Sequence, residues 1–326
     1  MIRSDLVRLL AAAAAAAALL VPFATQAQAP GYPNAPIKLV VGYPPGGGTD
    51  TTARIVARKL TESLGTPVVV ENRPGATGII AGQFVAKSPA DGYTLMMLTA
   101  NDTALPALNS KLPFDLVRDF TPISLLTIGP MVLVTNPTLP VGSVKDLIAL
   151  GRTRQLNFGS SGVGGTPHLA GELFGSMANI TMLHVPYKGG GDLVTAVMSG
   201  QIDFCFTSIA SAVSLIKTGK LKALAVSSAK RVAELQPVPT LDEAGLAGYD
   251  YSSWFGVAAP AGLPAPILAM LQDHIAKAVA NAEISDLLRK QGFEPKTSTP
   301  AQFGTLIELE IAQNNALAKR AGLKPN

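Results

Sequence analysis

The 326-residue chain predicts an α/β fold in two domains. Three observations carry that reading. Residues 39–60 (LVVGYPPGGGTDTTARIVARKL) have the form of a buried strand, a glycine-rich loop and an amphipathic helix, and residues 156–174 (LNFGSSGVGGTPHLAGELF) repeat the form. Strand-like and helix-like segments alternate through both halves, with a break near residues 131–140. Hydrophobic content of 48% with only 15% charge suits parallel sheets buried on both faces better than a charged helical bundle.

The chain opens with a segment that reads as a secretory leader. Arg3 and Arg8 supply a positive start, residues 9–21 are an apolar run around eight consecutive alanines, and Ala27-Gln28-Ala29 has the form of a cleavage site. At thirteen residues the run is shorter than the ~20 needed to span a bilayer. The expectation is a signal peptide over 1–29 with cleavage near Ala29, export to the periplasm and a soluble, monomeric mature chain. Its net charge falls from +4 to +3, with no long basic run and few aromatics, so nucleic acid is not an expected partner. Cys205 is alone between Phe204 and Phe206 and reads as core. His168, His184 and His274 are scattered without a metal-binding spacing, and no cofactor is expected.

In the first half, 37–41 reads as a strand ended by the breakers Gly42, Pro44 and Pro45. Ala53, Val56, Ala57, Leu60 and Leu64 then recur at helical spacing, which predicts a helix over 50–64 ended by Gly65, with Thr49 or Asp50 as N-cap. A strand at 68–71, a helix at 78–87 and a strand at 93–99 complete a βαβαβ unit with a parallel sheet. Residues 100–120 read as irregular, and 123–128 and 131–135 as extended. Asn136-Pro137 and Leu139-Pro140 then break the pattern, as a crossing between domains does.

The second series predicts helices at 144–150, 167–178, 192–199 and 210–217, and strands at 156–158, 182–185, 202–206 and 221–226. Thr166 reads as N-cap of the second of these helices, with Pro167 at the first helical position. From Pro237 the composition changes, with residues 254–258 and a punctuated PAGLPAP following, and helices at 264–280, 282–291 and 301–321 end the chain. The expected domains are 30–132 plus 250–326, and 133–249.

The chemistry lies in the loops. Gly46, Gly47 and Gly48 lack Cβ atoms and let backbone N–H groups converge ahead of a helix N-terminus, a site for a small anion; a turn with no ligand is the plainer alternative. A Walker loop is excluded because Gly48 stands where lysine is needed, and the dinucleotide fingerprint because Thr51 stands at its third glycine. The second loop adds the hydroxyls of Ser160, Ser161 and Thr166. A third turn, 187–192, carries Lys188. An exported serine hydrolase using Ser161 and His168 is the alternative, but Val163 replaces the last glycine of a nucleophile elbow, and His168 falls in the first turn of a helix. Asp192 and Asp203 read as a helix cap and a strand-end ion pair; Asp50 is open between cap and acid/base group.

Several motifs resemble the tripartite tricarboxylate transporter substrate-binding family, the Bug proteins. They are Tyr43 to Asp50, Glu71-Asn72-Arg73-Pro74-Gly75-Ala76, Gly159 to Gly162 with His168 to Glu172, Val185 to Gly189, Gly219 to Val226, Trp254-Phe255-Gly256 and Ala259 to Gly262. The resemblance covers the whole mature chain. It implies a type II clamshell periplasmic binding protein, not an enzyme, with a small carboxylate held between two domains by the first two glycine loops, partly through waters. It also implies delivery to transporter membrane subunits or a sensor. Carried onto this chain, the candidate ligand-binding residues are Tyr43, Gly46, Gly47, Gly48, Thr49 and Asp50 in the first loop. Ser160, Ser161, Gly162, Gly164, Thr166 and His168 come from the second, with Tyr187, Lys188, Asn101, Thr207 and Ser208 around them. The family usually has aspartate where this chain has Thr207, which disfavours a ligand bearing an amino group.

Overall fold

Strand β1 (Ile37–Val41) is buried at every residue but Lys38, which is why it reads as a continuous apolar run. It lies between β2 (Val68–Asn72) and β3 (Thr94–Thr99), parallel to both. Helices α1 (Gly48–Leu64) and α2 (Ile79–Ala86) provide the two crossovers. A computed structural model of the protein describes residues 31–326 apart from 188, 189, 321, 324 and 326. The segment read as a leader, 1–29, and Lys188 lie outside the described residues. Every element below belongs to one compact unit, Ala35–Asn326.

Two sheets organise that unit, giving the α/β architecture the sequence predicts. Beyond β3 the first sheet adds β4 (Phe120–Gly129), β10 (Ser253–Pro260) and β11 (Glu294–Pro295), in the order β11-β4-β10-β3-β1-β2. The second sheet has the order β7-β6-β8-β5-β9. Its strands are β5 (Met131–Thr135), β6 (Leu156–Ser160), β7 (Met182–Pro186), β8 (Phe204–Ser208) and β9 (Lys222–Val226). The chain passes from one sheet to the other at Pro130, between β4 and β5, and returns between β9 and β10.

Neither sheet is wholly parallel. Strand β10 runs antiparallel to β3 and β4, and β5 antiparallel to β8 and β9, because these are the strands on which the chain changes sheets. Further helices are α3 (Leu105–Leu108), α4 (Val144–Thr153), α5 (Thr166–Ala178), α6 (Gly190–Met198), α7 (Ile209–Lys217), α8 (Ala265–Ala280), α9 (Ala282–Lys290) and α10 (Pro300–Arg320).

Two expectations about helix starts are corrected. The N-cap of α1 is Gly47, not Thr49 or Asp50, and that of α5 is Gly165, not Thr166. Both glycines are extended and make no side-chain cap, so backbone N–H groups at each start are left for other partners. At the other end of α1, Gly65 adopts φ 65°, the left-handed C-cap expected of it. The stretch read as irregular, 100–120, opens instead with a 3₁₀ turn, Ala100–Ala104, and α3.

The core of the first sheet includes Met96, Leu98, Trp254 and Phe303, with Trp254 and Phe303 edge to face at 5.3 Å. Phe158, Phe174, Phe204, Phe206 and Tyr249 dominate that of the second. Helix α10 serves both, since Phe303 and Ile307 join the first cluster and Leu317 the second. Cys205 is fully buried, as read, and burial pushes its thiol above the usual range.

Gly256 on β10 lies flat against the Phe303 ring, where a Cβ has no room. Gly256→Ala should therefore destabilise the protein by about 1–3 kcal/mol through overpacking. Urea unfolding checks this; a variant with unchanged midpoint and slope would contradict it.

Candidate functional site

The first glycine loop is already occupied by a carboxylate of its own chain. Asp50, at the third position of α1, accepts from Gly46 N–H (2.9 Å), Arg54 Nε (3.0 Å) and Asn72 Nδ2 (2.9 Å). Burial opposes ionisation, but these donors prevail and hold its carboxyl down at about 2. Asp50 is thus a buried carboxylate in the first turn of α1 that bonds a loop N–H without being the N-cap.

The end of β3 holds the next part. Thr99 and Asp102 cap each other reciprocally: Asp102 Oδ2 accepts from Thr99 N–H (2.6 Å) and from its hydroxyl (3.0 Å). Its other oxygen is buried with no partner among the described residues. Burial raises the Asp102 carboxyl to about 7, the Thr99 bonds offsetting only part. The turn aims Asn101 at the second loop, where its Oδ1 accepts from both the N–H (2.9 Å) and the hydroxyl (2.7 Å) of Thr166. Behind it the Thr103 hydroxyl bonds Ala100 O and Glu310 Oε2 and accepts from Asn314 Nδ2, and Trp254 Nε1 donates to Glu310 Oε1 at 2.8 Å. Burial raises Glu310 to about 7 as well, against the hydrogen bonds from Trp254 and Thr103.

The second loop is braced from inside. Ser160 Oγ lies 2.7 Å from His184 Nε2 and also bonds to Gly162. His168 Nδ1 accepts from Gly164 N–H at 2.9 Å, its Nε2 faces Glu172 at 3.5 Å, and its ring stacks on His184 at 3.8 Å. Burial, and then the His168 ring, lower His184 to about 4. Both His168 nitrogens are therefore turned to partners other than Ser161, and no Ser161–His168 pair forms. Asp203 bonds Arg154 and accepts from Asn157 N–H, the strand-end role read for it.

Between the two sheets' loops lies a cavity of about 390 Å³. Of the residues singled out by sequence, Tyr43 and Asn101 line it from the first sheet's side, and Ser161, Gly162, Thr166 and Ser208 from the second's. Gly46, Gly47, Gly48, Thr49, Asp50, Ser160, Gly164, His168, Tyr187 and Thr207 are not on its wall. Buried Thr207 pairs with Val132 inside the sheet. Reading the sequence missed Thr77, Ser253 and Phe293, and the crossing segment Gly129, Pro130 and Met131. Phe293 packs at a tilt against Phe255, ring centroids 4.7 Å apart, and reaches the wall from a loop distant in sequence, which no local motif signals. The crossing was visible as a change of pattern, but not as a wall. None of the lining residues described is charged. Among the described residues, no group of His, Cys, Asp or Glu is placed to hold a metal, and no helix is long and apolar enough to cross a membrane.

A family model described as the tripartite tricarboxylate transporter family receptor matches residues 52–323. Protein BugT of Bordetella pertussis is 35% identical over 324 residues, covering 98% of this chain and 99% of BugT. Among solved structures, Rpa4515 of R. palustris with adipate is 36% identical, with a TM-score of 0.78 over 91% of this chain and 100% of that one. MatC from Rhodopseudomonas palustris with bound malate is 30% identical, with a TM-score of 0.74 over 88% and 99%.

The two raised carboxyls set a pH dependence. Asp102 and Glu310 move from ordinary values of 3.8 and 4.5 to about 7 on folding, so the folded state takes up protons between those limits. Their contribution is fully present below about pH 4 and is lost as pH rises through 7. Asp50 acts oppositely as pH falls from about 4 to about 2, and His184 acts oppositely as pH falls from about 6.5 to about 4, which offsets only part of the effect of two carboxyls. The melting temperature should fall between pH 5 and 8, and Asp102→Asn should flatten that fall. Parallel melting curves for wild type and variant over this range would refute the assignment to Asp102.

Proposed function

Because the chain belongs to the tripartite tricarboxylate transporter receptor family, a periplasmic family of binding proteins and not of enzymes, we propose that it captures a small carboxylate and delivers it to transporter membrane subunits or a sensor. The observation that carries this reading is the uncharged, donor-bearing cavity into which loops of both sheets project. Residues 30–132 plus 250–326 then form one domain and 133–249 the other, closing over the ligand. Adipate in Rpa4515 and malate in MatC support a di- or tricarboxylate, an aromatic acid or a related organic acid here.

One carboxylate is held by Ser161 and by the N–H groups of Val163 and Gly165, at the start of α5, with Tyr43, Asn101 and Ser208 around it; the N–H groups of Gly162, Gly164 and Thr166 are taken by Ser160, His168 and Asn101. The helix N-terminus contributes roughly half a positive charge. The first loop, 46–49, and residues Ser160, Gly164, His168, Tyr187 and Thr207 shape this wall from behind. Lys188 is the cation that the third turn carries.

Hydrogen bonds to a charged group contribute about 1.5–3 kcal/mol each. Titration calorimetry with adipate, malate and benzoate should therefore find a ligand whose methyl ester binds at least tenfold more weakly. Equal affinity for acid and ester would sink the proposal. Ser161→Ala removes one hydroxyl bond, about 0.5–1.5 kcal/mol, so affinity should fall some two- to tenfold with no ester hydrolysis in either protein. Hydrolysis by the wild type that vanishes in the variant would restore the hydrolase alternative.

A further inference from the structure

Four residues in a row, Gly75, Ala76, Thr77 and Gly78, have positive φ: 141°, 47°, 55° and 96°. The glycines adopt such angles without penalty, but a β-branched residue at φ 55°, ψ 36° is an outlier. Outliers of this kind persist only where their surroundings dictate them, and they gather at ligand sites. The surroundings here do dictate the path. A Cβ on Gly42 would meet Gly78 Cα at 2.8 Å, one on Gly78 would meet Asp102 Oδ1 at 3.1 Å, and the Ile80 side chain lies against Gly75.

What the surroundings do not dictate is the side chain at 77. Thr77 is exposed, and its hydroxyl has no hydrogen-bond partner among the described residues. Glycine would follow the same path with no strain, so packing gives no reason for threonine. The side chain stands on the wall of the main cavity and of a second one of about 350 Å³, a position shared only with Asn101 and Val163. On the first sheet's side of the cavity, the Asn101 carbonyl is committed to Thr166, and the Tyr43 hydroxyl to Thr99 and the Asn101 amide. Thr77 offers an uncommitted donor there, as does Ser253 on β10, but Thr77 alone of the two stands between the main and second cavities.

We infer that Thr77 is a ligand-contacting, specificity-determining residue, whose hydroxyl bonds the bound acid from the side facing the Ser161–Thr166 loop. This rests on the carboxylate reading above. The test is calorimetry with adipate, malate and benzoate on the wild type, Thr77→Ser, Thr77→Val and Thr77→Gly, with melting curves in the absence of ligand. Thr77→Val and Thr77→Gly should bind roughly three- to tenfold more weakly, and Thr77→Ser within about twofold of wild type. Thr77→Gly should meanwhile melt roughly 2–4 °C higher, because relief of strain outweighs the added freedom of the unfolded chain. Wild-type affinity in Thr77→Val, or an unraised melting temperature in Thr77→Gly, overturns the inference while leaving the receptor reading intact. A wild type that binds none of the three acids overturns both.

Discussion

The reciprocal cap between Thr99 and Asp102 is the interaction on which the site depends. It fixes the end of a central strand, and with it the turn from which two side chains leave in different directions. Asn101 reaches forward to Thr166 in the second loop. Thr103 reaches back to Glu310 and Asn314 on α10. Asn314 in turn accepts from the Tyr251 hydroxyl, on the segment by which the chain returns to the first sheet. A carboxyl group shut away from water, with one oxygen unpartnered, is a costly way to secure a turn. The cost is consistent with a turn that has to hold the loops of two sheets in register at once.

A second constraint concerns charge. The described cavity wall has no cation, and the first glycine loop already gives its Gly46 N–H to Asp50. An anion is left with neutral donors and the field of a helix start. Each such bond is moderate, and on the proposed reading several together would hold a carboxylate without the desolvation penalty of a buried ion pair. That suits a receptor, which has to release what it captures. It also explains why the second loop is so thoroughly braced: donors that bind by position have to be held in position, and Ser160, His184 and His168 do this from behind.

Much of this was legible in sequence. The apolar run of β1, the helical spacing after Gly48 and the C-cap at Gly65 are local signals, and each element forms where its residues place it. The echo at 156–174 likewise singled out Ser161, Gly162 and Thr166, which line the cavity. What escaped was non-local. Phe293 and Ser253 reach the wall through strand order, which no spacing encodes. The helix starts fell one to three residues early because glycine can occupy an N-cap position without offering a side-chain acceptor, so the visible threonines and aspartate drew attention instead. His168 looked like a possible partner for Ser161 by proximity in sequence, but the helix turns its ring inward to Gly164 and Glu172.

Trp254 is the protein's single tryptophan. It is buried against Phe303, next in the chain to cavity-lining Ser253, and its indole N–H is bonded to Glu310. The molecule therefore carries one indole emitter, joined through Glu310 and Thr103 to the turn that presents Asn101. Any movement of that turn, or ionisation of that carboxyl, changes the electric field at a lone indole. The fluorescence of the unlabelled protein is in effect a built-in gauge of the state of its binding site.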